Sequence, residues 1–207
     1  FLLCLIFHSA TVYSQGKYFQ QQTDYTIDVK LNDNSHILHA YEKINYTNHS
    51  PDTLKFLFFH LWPNAYRNDR TAFSDHMVEN KQTGFYFSKA DQRGFIDSLK
   101  FKVNNEEVNI SEYNNNPDIV LIELLKPLLP NETVEITTPF RVVIPEVFSR
   151  MGHHEQAYQI SQWYPKPAVY DQYGWHPMPY LDQGEFYSEF GSYTVNITLP
   201  ANYVTAA

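Results

Sequence analysis

The sequence has a single cysteine, Cys4, lodged in an apolar N-terminal run, which leaves the rest of the chain without disulfides or a thiolate site. Only seven glycines occur, and none build a loop able to cradle phosphate. Basic residues are also scarce. Against 23 Asp and Glu stand 15 Lys and Arg, and the resulting net charge of −8 argues against nucleic acid as a partner. The leading run FLLCLIFHSATVY is too short to span a bilayer. No G-x-S-x-G motif, no recognisable Ser-His-Asp order and no internal repeat occur, which removes the nucleophile-elbow hydrolases and the solenoids.

A zinc hydrolase site on a helix needs H-E-x-x-H, so that two imidazoles one turn apart face the same ion. The nearest match is His154-Glu155-Gln156-Ala157-Tyr158, with tyrosine in place of the second ligand, and it leads directly into an expected strand. The histidines at 36, 39, 49, 60, 76 and 176 show no ligand spacing, so this chain is expected to bind no catalytic metal.

What is present reads as strand after strand. Tyr25, Ile27, Val29 and Leu31 alternate with polar neighbours, Asn32-Asp33-Asn34 supplies a turn, and Ile37–Tyr46 returns with Ile44 and Tyr46 on one face. The pair predicts an antiparallel hairpin with one wet face. Leu54–Leu61 is denser, as expected of a strand buried on both faces. Residues 62–94 keep no steady period and predict a long excursion with a short helix near Thr71–Glu79. Strands resume over Phe95–Val103, turn at Asn104-Asn105 into Glu107-Val108, and return over Ile119–Leu124. Leu128-Leu129-Pro130-Asn131-Glu132 reads as a type I turn before Thr133–Val143. Ser192–Leu199 closes the series. The fold class is all-β, an antiparallel β-sandwich.

Between the last strands lies the densest stretch of the chain, Ala157–Gly191, with nine Trp, Tyr and Phe residues from Trp163 to Phe190 and four prolines. Rigid rings and fixed φ angles suit an ordered surface loop, and long ordered loops carry function disproportionately. Within it, Trp163, Tyr164, Tyr173 and Trp175 are candidates to stack on a sugar or peptide, although core packing is the commoner fate of each. Asp182, Glu185 and Glu189 are candidate paired carboxylates. In extended chain, Glu185 and Glu189 stand about 13 Å apart, too far for either glycosidase geometry. Gln162 sits where a strand meets the proline-rich segment. Its amide either reads a polar group on a ligand or caps backbone at the strand end.

The run QISQWYPKPAVYDQYGWHPMPYLDQGEFYSEFGSYTVNITLP resembles the N-terminal domain of aminopeptidase N-like zinc metallopeptidases, the gluzincins, in their secreted bacterial branch. DYTIDVKLNDNSHILHAYEKINYTNHSPDTLKFLFFHLWPNAY fits that domain's opening hairpins, and LLKPLLPNETVEITTPFRVVIP fits its L-x-P-G-E turn with Asn131 in the glycine position. The resemblance implies a saddle-shaped β-sandwich over residues 17–207, laid on a downstream thermolysin-like catalytic domain that carries the zinc. It also implies that the full-length protein removes N-terminal residues from peptides. Ser161-Gln162 fits the lead before the residue that holds the substrate's free α-amino group, so Gln162 and Tyr164 are the expected substrate-binding residues. Tyr164 stands where many members have an acidic or amide side chain. Zinc is expected in the parent and not in this segment. Residues 1–16 are expected to be a partial signal peptide, which implies export to the periplasm, cell surface or medium. Five N-x-S/T triplets, at Asn45, Asn48, Asn109, Asn131 and Asn196, bear on the matter only in a glycosylating host. The alternative is a non-catalytic β-sandwich module that grips glycan or peptide.

Overall fold

The computed structural model describes residues 18–206. The expected signal segment and Cys4 lie outside them. The described chain is dominated by strands, β1 (Gln22–Asn32), β2 (Ile37–Thr47), β3 (Leu54–His60), β4 (Phe95–Asp97), β5 (Lys102–Val103), β6 (Glu106–Glu107), β7 (Ile110–Tyr113), β8 (Asn116–Leu128), β9 (Thr133–Val143), β10 (Gly152–His154), β11 (Ala157–Gln159), β12 (Lys166–Pro167), β13 (Val169–Asp171), β14 (Gly174–His176) and β15 (Gly191–Thr198). One sheet runs β15-β1-β2-β9-β5-β6, with β4 also on β9, and a second runs β12-β3-β8-β7. They enclose one core in which Ile27, Ile44, Leu57, Phe59, Ile122 and Val142 are fully buried. The architecture is the expected all-β sandwich.

Period-two patterning explains the first sheet. Tyr25, Ile27, Val29 and Leu31 are all buried while their neighbours are partly or wholly exposed, and β2 lies antiparallel with Ile27 opposite Glu42. The departure from an antiparallel sheet is β15, which pairs parallel with β1, Thr23 opposite Gly191. It arrives at the sheet edge from the long 157–191 segment rather than from a hairpin, and so nothing imposes reversal. Contact is close: a Cβ on Gly191 would lie 1.9 Å from the Thr23 carbonyl oxygen, and only glycine fits there.

The turns refine the sequence reading. Asn104 and Asn105 both have positive φ, 49° and 67°, which makes the link between β5 and β6 a two-residue type I′ hairpin. Asn131 has φ 65° at the third position of its turn, the mark of a type II turn and not of the expected type I. Asparagine tolerates that region, which accounts for its standing where the resembling family has glycine. The expected strand Phe95–Val103 is two short strands, and β7 has no counterpart in the sequence reading because its residues stay largely exposed.

The excursion 62–94 forms a lid of aromatic residues. Trp62–Tyr66 is a 3₁₀ turn with every residue buried, and α1 (Ala72–Glu79) matches the expected short helix. Thr71 caps α1, its side chain accepting a 3.2 Å bond from the Ser74 amide. Tyr66, Phe73 and Phe85 pack with Tyr180, whose hydroxyl receives a 2.8 Å hydrogen bond from Tyr66.

Candidate functional site

Several hydrogen bonds tie the 157–191 segment to the core, three of them through the backbone of Met178 and Tyr180. Trp62 Nε1 donates to the Met178 carbonyl at 3.1 Å, the Met178 amide donates to His60 Nε2 at 3.1 Å, and the Tyr180 amide donates to Asp118 Oδ2 at 2.7 Å. Both His60 and Asp118 are buried. Burial, with the charge of Lys166 as a smaller contribution, lowers the His60 pKa to about 3, so its ring stays neutral and free to accept. The segment is therefore ordered by bonds to buried groups as well as by its prolines.

Gln162 lies between β11 and β12 with φ 55°, an uncommon backbone state for a side-chain-bearing residue. Its Oε1 accepts a hydrogen bond from Lys166 Nζ. This bond, to a side chain of the same chain, is neither of the two uses expected of it. Lys166 is 4% exposed, and its Nζ lies 4.4 Å from the centroid of the Trp62 ring and 5.0 Å from that of Tyr164. Tyr164 packs edge-on to Tyr25, with its hydroxyl 3.3 Å from that of Tyr193. Gln162 and Tyr164 thus meet through the Lys166 ammonium.

Opposite stands Glu42. It occupies an inward position on β2, in phase with Leu38, Ile44 and Tyr46, is fully buried, and neither of its carboxylate oxygens has a hydrogen-bond partner. Burial pushes its pKa well above the ordinary carboxylate range, against the opposing pull of Lys166. Burial likewise lowers Lys166 to about 7, and the Glu42 charge works the other way. Each charge opposes the shift that burial imposes on the other, in a pocket walled by aromatic rings. Neither was singled out in the sequence. For Glu42 the signal was there: it shares parity with Ile44 and Tyr46, so it had to point inward.

Beside this cluster, between the inner faces of β1 and β15 and the 157–164 segment, runs a groove of about 610 Å³. Trp163 and Tyr164 line it together with Val29, Tyr193, Val195 and Ile197. β15 is exposed along its whole length.

The other candidates separate. His154 ends β10, Glu155 occupies the turn with φ 51°, and Tyr158 lies on β11, so H-E-x-x-Y forms a hairpin and not a helix. Among the described residues no group of three or more His, Cys, Asp or Glu is placed to hold a metal ion. Asp182 accepts from Ser149 Oγ at 2.7 Å, Glu185 is exposed and Glu189 is buried under the Tyr170 amide, so the three carboxylates form no pair. Trp163 packs on Phe140 and Trp175 on Phe58 and Tyr170, whereas Tyr173 is 82% exposed. No helix among the described residues is long and apolar enough to cross a membrane.

The fold and cluster define a β-sandwich domain with a buried Glu-Lys-Gln centre under an aromatic loop. No protein-family model matches the chain, and no curated protein matches it. Among solved structures it is similar to the M1 zinc metallopeptidase from Deinococcus radiodurans, at 18% identity and a TM-score of 0.46, covering 90% of this chain and 33% of that one. A point mutant of the same Deinococcus enzyme gives 14% identity and a TM-score of 0.47 over the same shares. Yeast LTA4 hydrolase is similar at 8% identity and a TM-score of 0.32, over 64% of this chain and 17% of that one. The chain spans about a third of the length of the Deinococcus enzyme.

Proposed function

We propose that this chain is the N-terminal domain of a zinc-dependent aminopeptidase, exported from the cell, and that it helps bind the free amino terminus of peptide substrates. The observation that carries the reading is the contact between Gln162 and Lys166. The Gln162 carbonyl accepts from an ammonium, that of Lys166, and an α-amino terminus, which presents the same chemical group, would take that place beside Tyr164 and a groove lined by Trp163 and Tyr164. The resemblance of ISQWYP and the segment after it to the gluzincin N-terminal domain agrees with this.

Among the described residues no group is placed to hold a metal, and on this reading the domain's part in the reaction is recognition. Metal and general base belong to a downstream catalytic domain. The open strand β15 and its exposed apolar residues Tyr193, Val195 and Ile197 suit coverage by such a domain. The alternative, a non-catalytic module that grips glycan or peptide, gains less support as a glycan binder, since Trp175 is engaged in packing on Phe58 and Tyr170.

The test is Gln162→Ala in the full-length protein. Losing one charge-assisted hydrogen bond, worth about 1.5–3 kcal/mol, lowers kcat/KM roughly ten- to a hundredfold for substrates with a free amine. N-blocked analogues lack the group being read and change little. An equal loss for both substrate kinds, or none for either, sinks the amine-reading role.

A further inference from the structure

A second cavity lies apart from Gln162 and Tyr164, neither of which lines it. It holds about 150 Å³ between the segment Tyr18–Gln20, the β13 hairpin and residues 187–190. Its walls are rings. Phe19 and Tyr170 stand 6.1 Å apart, Tyr187 closes one side, and Tyr18 and Phe190, each 81% exposed, form the rim. Lining the same space is Glu189, only 8% exposed.

The Glu189 carboxylate has few partners. Oε1 accepts from the Tyr170 amide at 3.3 Å, and the Gln20 side chain lies near it. Among the described residues no lysine or arginine acts on it; the charged or titratable groups that face it are Asp171 and His176 on the β13-β14 hairpin, Tyr46 on β2, and Tyr187. Of these, His176 is held by Asp171, its Nε2 lying 2.8 Å from Oδ1 without the alignment of a hydrogen bond. The Tyr187 hydroxyl also donates to Asp171, at 3.2 Å. A buried carboxylate with no lysine or arginine beside it among the described residues, in an open cavity lined by aromatic rings and by a second carboxylate, Asp171, is complemented by a cation. Aromatic faces attract cations through the ring quadrupole, and a primary ammonium also donates hydrogen bonds to a carboxylate.

We propose that this cavity is a binding site for a primary alkylammonium group, such as the tip of a lysine side chain or the end of a polyamine, with Glu189 as counter-ion and Phe19, Tyr170, Tyr187 and Phe190 as its cage. The site is independent of the reading of Gln162. Burial, more than the charge of Asp171, raises the Glu189 pKa to about 7, offset in part by the Tyr170 amide and the Gln20 side chain. Binding therefore strengthens as pH rises through 7, where the carboxylate ionises while an alkylammonium remains charged.

The experiment is saturation-transfer NMR on the protein at pH 8 with n-butylammonium chloride, and with butan-1-ol as the neutral isostere. The expected Kd for so small a cation is about 1–10 mM, with butanol at least tenfold weaker. Lowering the pH to 6 weakens the ammonium roughly tenfold, the ratio of ionised Glu189 at the two values. Glu189→Gln, which keeps an acceptor for the Tyr170 amide, has a similar effect. Phe190→Ala at the exposed rim weakens it by about threefold without touching the core. Tetramethylammonium, with no N–H to donate, binds less tightly. Comparison of Nα-acetyl-lysine methylamide with spermidine assigns the source of the group. The proposal is overturned if butanol or tetramethylammonium matches butylammonium, if binding is flat between pH 6 and 8, or if neither lysine nor polyamine saturates. Should Glu189→Gln not fold, the pH series and Phe190→Ala on their own decide the matter.

Discussion

Lys166→Met tests the energetics of the buried centre. Lys166 is 4% exposed and its pKa is lowered from 10.5 to about 7, first by burial, with Glu42 opposing. In the unfolded chain the same ammonium holds its proton until about pH 10.4. Between those values the unfolded state binds more protons, so stability rises with pH across the window from about 7 to about 10.5 and is lowest below it. At about 1.4 kcal/mol per unit, the cost of the buried cation is about 4 kcal/mol at pH 7 and about 2 kcal/mol at pH 9. Methionine retains an unbranched apolar stem against Trp62 and carries no charge. It forfeits the cation–π contact and the bond to Gln162, together about 2–3 kcal/mol. In a Glu42→Gln background, which leaves no buried carboxylate without its partner, the variant should therefore be about 1–2 kcal/mol more stable at pH 7, as hydrophobic replacements of buried charge pairs often are, and should lose that advantage by pH 9. Urea unfolding followed by tryptophan fluorescence at pH 6, 7 and 9 measures this. The same background removes the contribution of the carboxylate, whose raised pKa makes stability fall as pH climbs from about 4.5. A variant markedly less stable at pH 7, with wild-type stability flat from pH 7 to 9, would falsify the account.

Other outcomes follow from local geometry. Gly191→Ala forces a Cβ to within 1.9 Å of the Thr23 carbonyl oxygen, so β15 should detach from β1, seen as loss of amide protection along Gly191–Thr198. Asn131→Ala, at φ 65°, should cost about 1–2 kcal/mol by thermal unfolding, while Asn131→Gly should cost little; equal effects would mean the turn does not need its positive φ. Thr71→Ala removes the α1 cap and should cost about 1 kcal/mol, with Thr71→Ser recovering most of it.

Strand-level structure was legible where the period was clear. Tyr25 to Leu31 alternate because one face of β1 is buried and the other wet, and a period of two has a single physical meaning. Asn104-Asn105 read as a turn because asparagine tolerates positive φ, and both residues adopt it. The short helix expected near Thr71–Glu79 is found at Ala72–Glu79. The 62–94 lid was not legible as core, since Trp62, Tyr66, Phe73 and Phe85 are spaced irregularly and the cluster they form is completed by Tyr180, more than 90 residues further on. The direction of β15 was hidden for a related reason. Strand propensity carries no information about which neighbour a strand meets or whether it runs parallel to it.

By itself the sequence determined the class of fold, since alternating apolar residues split by Asn, Asp and Pro turns can bury their faces only in paired sheets. Its motifs also drew the eye to Gln162 and Tyr164. Only the tertiary structure decided what those residues touch. Whether the Gln162 carbonyl caps backbone or meets an ammonium depends on where the Lys166 side chain is held. That is set by the pairing of Lys166 with His60 across two sheet strands and by the Trp62 ring arriving from a separate segment. Glu42 and Glu189 are ordinary carboxylates in one dimension. Burial by residues far away in the chain gives each its high pKa, because the cost of a charge is set by the solvent it loses, and solvent access belongs to the folded whole.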